Sequence, residues 1–156
     1  MKKMTTAYRV SEIWQLADVY YIRRQTKIHG HSVDHRMEFD EDFNEKYHYI
    51  LLAQGDDPIG TCRVNFEHQD YGKIERVAIL EKFQHQGFGR ELISAAEDWI
   101  EDKGFAKAVI TSVDTAVGFY EKLGYTPNYE IKYEDTDFPI VYMAKQFKSI
   151  DQREVG

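Results

Sequence analysis

A chain of 156 residues can bury a sizeable core in one domain, and 42% hydrophobic with 30% charged content marks a folded globular protein rather than a disordered one. The formal net charge of −7 argues against a broad nucleic-acid-binding face, which needs clustered Lys and Arg, and leans weakly towards a cationic partner. Cys62 is the only cysteine, which excludes an internal disulfide and a zinc–cysteine site. No apolar stretch follows Lys2 and Lys3 as in a secretory signal, and no run approaches the roughly 20 residues of a membrane helix. A cytoplasmic location without membrane or nucleic-acid partners is the resulting expectation.

In chain order, residues 4–10 read as a short strand. Ser11 can cap a helix whose apolar positions Ile13, Leu16, Ala17, Tyr20, Tyr21 and Ile28 recur at helical spacing to about His29, with Gly30 ending it. Residues 30–46 are polar and irregular, with room for one helical turn. Tyr47 to Ala53 and Ile59 to Phe66 read as the two strands of a hairpin around Gln54-Gly55-Asp56-Asp57-Pro58, and a third strand covers 73–80. A helix over 87–103 carries Leu92, Ile93, Ala96, Trp99 and Ile100 on one face. Ala106 to Thr111 is a strand, Thr115 to Leu123 a short helix, and Tyr125 to Tyr133 and Ile140 to Phe147 two more strands. This order is a mixed α/β sheet forming one domain over 1–147, with a charged tail over 148–156.

The junction between the third strand and the 87–103 helix is Gln84-His85-Gln86-Gly87-Phe88-Gly89. A glycine-bearing turn that opens a helix places unpaired backbone N–H groups at the positive end of the helix dipole, which is an anion site. Two phosphate motifs are excluded. Gly89 is followed by Arg90 and Glu91 rather than Lys-Ser/Thr, and Leu92 stands where a dinucleotide fingerprint needs its third glycine. What remains is Gln-x-x-Gly-x-Gly.

The stretch from Lys73 through Ile-Glu-Arg-Val-Ala-Ile-Leu-Glu-Lys-Phe-Gln-His-Gln-Gly-Phe-Gly-Arg-Glu-Leu resembles the acetyl-CoA-binding motif of the GNAT acyltransferase superfamily. Thr115-Ala-Val-Gly-Phe-Tyr-Glu-Lys-Leu-Gly-Tyr125 resembles its second motif, one helix and one strand later. The likeness is greatest to small bacterial single-domain members, many without an assigned acceptor. It implies a GNAT fold with a mostly antiparallel sheet, a short second helix after the first, and acetyl-CoA as co-substrate in a cleft between the strands at 73–80 and 106–111. It further implies that main-chain groups of Val77, Ala78 and Ile79 receive the pantetheine arm. Main-chain N–H groups of Gln84, His85, Gln86, Gly87, Phe88, Gly89 and Arg90 would hold the pyrophosphate. Val113 stands where many members carry a cofactor-contacting Asn, with Asp114 adjacent.

Direct acetyl transfer to a primary amine requires a deprotonated amine, an oriented attack and a departing thiolate. Tyr120 is the candidate acid for that thiolate, although a tyrosine between Phe119, Leu123 and Tyr125 can equally serve as packing. Glu75 is the candidate base, placed by strand alternation on one face with Val77 and Ile79; a salt-bridged strand glutamate is the plainer reading. His29, His31 and His35 with Asp34 are better read as polar loop residues than as metal ligands, and no metal is expected. By the resemblance, the segment after the first helix lines the acceptor pocket, so His31, Asp34, Arg36 and Glu38 are expected to read the acceptor. Arg23, Arg24, Lys27 and Arg36 are available for an anionic acceptor group. Cys62 reads as a buried strand residue. The acceptor is a small-molecule amine or a protein amine, and homodimers are common in the superfamily. A CoA-binding sensor without catalysis, or an α/β domain binding another nucleotide, are the competing readings.

Overall fold

The computed structural model describes residues 4–134, 136 and 138–148. The elements in chain order are β1 (Thr5–Arg9), α1 (Ile13–Arg24), β2 (Lys27–Ile28), β3 (His31–Ser32), α2 (His35–Glu38), β4 (His48–Gln54), β5 (Asp57–Asn65) and β6 (Gly72–Ile79). They continue with α3 (Phe88–Asp102), β7 (Lys107–Val113), α4 (Val117–Lys122), β8 (Thr126–Asn128) and β9 (Ile140–Gln146). Strand order in the main sheet is β1-β4-β5-β6-β7-β9-β8, mixed and mostly antiparallel, with β2 and β3 as a separate two-stranded ribbon. This is the α/β fold expected from the order of elements. The chain forms two compact units. One comprises the residues up to Val64 with Arg76–Ala96, the other Asn65–Glu75 with the chain from Glu97 onward.

In the first unit β4 runs antiparallel to β1, from Thr5 opposite Gln54 to Arg9 opposite Ile50, and antiparallel to β5 with a bulge between Leu52 and Ala53. Val19, Ile22, Tyr49, Leu51 and Leu80 form its core, with Leu16 and Tyr20 packed against it. Cys62 is fully buried in β5, and burial pushes its thiol up to about 12, so it is no nucleophile at neutral pH. In the second unit β6 pairs in parallel with β7 over Gly72–Ile74, and β7 pairs along its length with β9. The apolar face foreseen for α3 is buried at every position named, from Leu92 to Ile100.

Three expectations are corrected. The first helix stops at Arg24 instead of continuing to His29. Gln25 and Thr26 donate to Ile22 O and Arg23 O, and the chain then turns through His29 (φ 51) and Gly30 (φ 79). Two successive positive φ values are what a two-residue hairpin turn requires, so Gly30 makes a ribbon rather than a helix cap. The helix cap itself is Glu12, not Ser11, because Gln15 Oε1 accepts the N–H of both Ser11 and Glu12 at 2.8 and 3.1 Å. The buried face of α1 is Gln15, Val19, Ile22 and Arg23, while Ile13 is 81% exposed. Lastly, the strand read over Tyr125 to Tyr133 ends at Asn128, whose Oδ1 accepts from Glu130 N at 3.0 Å and turns the chain. Of the tail, all beyond Lys148 lies outside the described residues.

Candidate functional site

The junction between β6 and α3 is built almost entirely from backbone. Leu80 N donates to Ile59 O at 2.9 Å, fixing the end of β6 against β5, and Glu81–Phe83 then forms a single 3₁₀ turn. Two glutamine side chains fold the loop onto itself: Gln84 Nε2 donates to Ile79 O and Gln86 Nε2 to Lys82 O, both at 3.0 Å. His85 (φ 63) and Gly87 (φ 88) are left-handed, and alternating backbone hand turns successive N–H groups towards one point. A Cβ on Gly87 would meet nothing within 4 Å, so the constraint there is conformational. Phe88, buried and edge-on to Phe83 at 5.9 Å, anchors the first residue of α3. The first intrahelical bond is Glu91 N to Gly87 O at 3.4 Å, so the N–H groups before it point out of the helix without helical acceptors. Glu91, the acidic residue of that turn, is turned aside to accept from Thr5 Oγ1 at 2.6 Å. Gln84 N, however, donates to Glu81 O at 3.2 Å, which corrects its place among the expected phosphate donors and leaves His85 to Arg90 as the candidate anion cradle.

β6 leads into that cradle with a feature the sequence did not announce. Arg76, in mid-strand, has φ 50. A long L side chain in the left-handed region is strained by about 1–2 kcal/mol and interrupts the pleat. Strand alternation therefore does not run from Glu75 to Val77 through this residue, so the inference that 75, 77 and 79 share one face is corrected. Just beyond it, β5 comes so close that a Cβ on Gly60 would lie 2.4 Å from Ile79 Cδ1 and 2.9 Å from Ala78 O. Val77, Ala78 and Ile79 are half-buried.

Arg76 belongs to a cluster of charges. Its Nη2 donates to Asp40 Oδ2 at 3.0 Å, and its Nη1 lies 4.0 Å from Glu38 Oε2. Asp40 Oδ1 also accepts from Arg63 Nη1 at 2.8 Å. Arg23 is fully buried, its Nε donating to Glu38 Oε1 at 3.1 Å, one Nη to Glu38 O, and the other to Glu41. Glu41 accepts from the hydroxyl of Tyr49 as well. Burial and then that bond raise the Tyr49 hydroxyl above its ordinary value, which keeps it a donor.

This cluster revises the reading of the segment after α1. Glu38 is buried against Arg23 instead of facing an acceptor, and Arg23 is committed to carboxylates of its own chain. Asp34 caps α2, accepting from Arg36 N at 2.8 Å. His31 and Arg36 are exposed, and the His35 ring stands edge-on to Phe39 at 6.1 Å. Among the described residues no three of His, Cys, Asp and Glu are grouped to hold a metal ion. None of the described helices is long and apolar enough to cross a membrane. Asp40, Glu41, Arg63 and Arg76 were missed because nothing in their spacing marks them as partners.

In the second unit Tyr120 is 6% exposed, with its ring edge-on to Phe119 at 5.0 Å and to Tyr125 at 6.0 Å. Tyr125 in turn donates to Glu97 Oε2 at 2.7 Å, and Lys145 Nζ lies 3.0 Å from Glu97 Oε1. Glu75 Oε1 lies 3.4 Å from Asn65 Nδ2 and 3.9 Å from Lys73 Nζ. Val113 caps a 3₁₀ turn, and Asp114 N donates to Pro139 O at 3.1 Å. A cavity of about 210 Å³ opens where the strand expected over Tyr125 to Tyr133 would have continued, lined among others by Asn128, Tyr129, Ile131 and Tyr133.

Residues 11–125 match the model of the family described as Acetyltransferase (GNAT) family. The uncharacterized N-acetyltransferase YjcF of Bacillus subtilis (strain 168) is 31% identical over 131 residues, covering 84% of this chain and 92% of that protein. A crystal structure of a candidate N-acetyltransferase from Lactobacillus plantarum superposes with a TM-score of 0.83 at 27% identity, covering 92% of this chain and 99% of the other. The N-acetylglutamate synthase of Neisseria gonorrhoeae, crystallised with coenzyme A and L-arginine, shares the fold at a TM-score of 0.65 and 14% identity. That match covers 95% of this chain and 34% of the synthase.

Proposed function

The chain belongs to the GNAT acetyltransferase family, and from that premise we propose that it moves an acetyl group from acetyl-CoA directly to a primary amine, using the cradle of His85 to Arg90 for the pyrophosphate. The observation that carries this reading is the backbone of that junction. Left-handed residues at 85 and 87 gather N–H groups at the positive end of α3, where a doubly charged diphosphate is stabilised without any lysine. The main chain of Val77, Ala78 and Ile79, next to the cradle in sequence, supplies donors and acceptors for the two pantetheine amides. The N–H of Ile79 would polarise the thioester carbonyl.

The chemistry is an aminolysis. The acceptor ammonium loses a proton, its lone pair attacks the thioester carbon, the C–S bond breaks, and the thiolate leaves and is protonated. Glu75 is the proposed base and Tyr120 the proposed acid. A thiol pKa near ~8.5 makes thiolate a tolerable leaving group, so the acid lowers the barrier only partly. The net charge of −7 favours a cationic acceptor approaching over one that carries a phosphate. His31, Asp34 and Arg36, exposed and beside the charge cluster in sequence, are the proposed acceptor-reading side chains.

Release of free CoA thiol, measured across a panel of primary amines, tests the proposal. Turnover above the hydrolytic background with at least one amine is expected. Tyr120→Phe should then lower kcat about 10- to 100-fold, below the full span of general acid catalysis, and leave acetyl-CoA affinity within about twofold. An unchanged kcat would assign Tyr120 to packing alone.

A further inference from the structure

We propose that Asp40 is a positioning residue: by gripping the Arg76 guanidinium it holds Arg76 in its left-handed conformation, and so sets the strand edge Val77–Ile79 that receives acetyl-CoA. The inference rests on the acetyl-CoA reading above and assigns a task to a carboxylate that lies 36 residues earlier in the chain.

The geometry runs as one chain of contacts. Arg23, buried in α1, fastens the segment 38–41 through Glu38 Oε1, Glu38 O and Glu41. Arg63 of β5 fixes Asp40 from the other side at 2.8 Å. The remaining oxygen of Asp40 meets Arg76 Nη2 at 3.0 Å, with Glu38 Oε2 4.0 Å from Nη1. Asp40 is thereby immobilised before it engages Arg76. Arg76 has reason to leave φ 50 unless something holds it there. The conformation is unfavourable for a side chain with a Cβ, and its buried Nε has no hydrogen-bond partner among the described residues. Were Arg76 to relax to extended φ, the pleat would shift by half a period. Ala78 and Ile79, already packed close on Gly60, would then present the opposite set of main-chain groups.

Glycine separates this role from that of an ordinary ion pair, because it adopts φ 50 without strain and needs no clamp. Arg76→Ala and Arg76→Gly lose the same ion pair, but only the alanine variant keeps a Cβ. Calorimetric titration of the full chain with acetyl-CoA should give a Kd about tenfold weaker for Asp40→Asn and for Arg76→Ala, and within about threefold of the parent for Arg76→Gly. Adding Asp40→Asn to Arg76→Gly should change Kd by less than about twofold, a coupling of about 1.0–1.4 kcal/mol across the cycle. A glycine variant as weak as the alanine variant, or an Asp40→Asn loss that persists in the glycine background, would overturn the clamp while the parent still binds. A parent chain that fails to bind acetyl-CoA would overturn the acetyl-CoA reading and the clamp with it.

Discussion

Arg23→Met is expected to remove about 3–5 kcal/mol from the stability of the fold, the range for deleting one partner of a buried ion pair. The Arg23 side chain is wholly buried, and Glu38 and Glu41, which it serves, are nearly so. Burial opposes its charge, but the hydrogen bonds and attraction of Glu41 and Glu38 outweigh burial, and the net effect holds the guanidinium more firmly protonated. Methionine fills similar volume, takes the buried donor from Glu38 and leaves Glu41 to Tyr49 and Arg63. Urea denaturation, with a slope of about 1–3 kcal/mol per molar, would register the loss as a fall of well over one molar in midpoint. The exposed Arg36→Met should change stability by less than about 0.5 kcal/mol. A loss below about 1 kcal/mol at Arg23 would mean that Glu38 and Glu41 swing into water at little cost.

The same cluster fixes the sign of acid sensitivity. Partial burial would raise the Asp40 carboxyl, but Arg63 and then Arg76 hold it far below the ordinary carboxylate range. For Glu41, burial is likewise outweighed by Arg23 and Tyr49. Both pKa values are depressed in the folded state. Their contribution is complete above the unfolded carboxylate values near about 4 and is lost as pH falls below them, because the unfolded chain then binds the protons first.

Gly87→Ala is expected to weaken acetyl-CoA binding about tenfold, and Gly87→Val by more. With φ at 88 and open space around the position, the cost is conformational: about 1–2 kcal/mol for an L residue, larger when β-branched. The loop can escape that cost by turning residue 87 back to negative φ, which points its N–H away from the cradle. Titration of each variant with acetyl-CoA checks it. Affinity unchanged from the parent in both variants would remove the backbone of residue 87 from phosphate binding.

Much of this site was legible in the sequence because its information is local. Glycines between a strand and a helix state a backbone conformation, and Gln84 to Arg90 lie in one loop whose fold depends on near neighbours. The α3 face was equally plain, since its apolar residues fall at helical spacing and are buried. The α1 face misled for the opposite reason. Its buried stripe includes Gln15 and Arg23, polar residues that hydrophobic periodicity assigns to solvent, while apolar Ile13 and Tyr21 stay exposed. The Asp40–Arg76 contact joins residues far apart in the chain, and an arginine at positive φ has no compositional signature. Glycine or asparagine would have announced the kink. The end of β8 at Asn128 was hidden by Tyr129, Ile131 and Tyr133, which read as strand residues yet line a cavity.

Acetyl-CoA is proposed to lie along Val77–Ile79 with its diphosphate in the cradle of His85 to Arg90. Amide hydrogen exchange of the chain with and without acetyl-CoA tests it most directly. Slowed exchange concentrated in peptides spanning 77–79 and 85–90, absent with ATP at the same concentration, is the predicted result. Unchanged exchange in both segments at millimolar acetyl-CoA would contradict it.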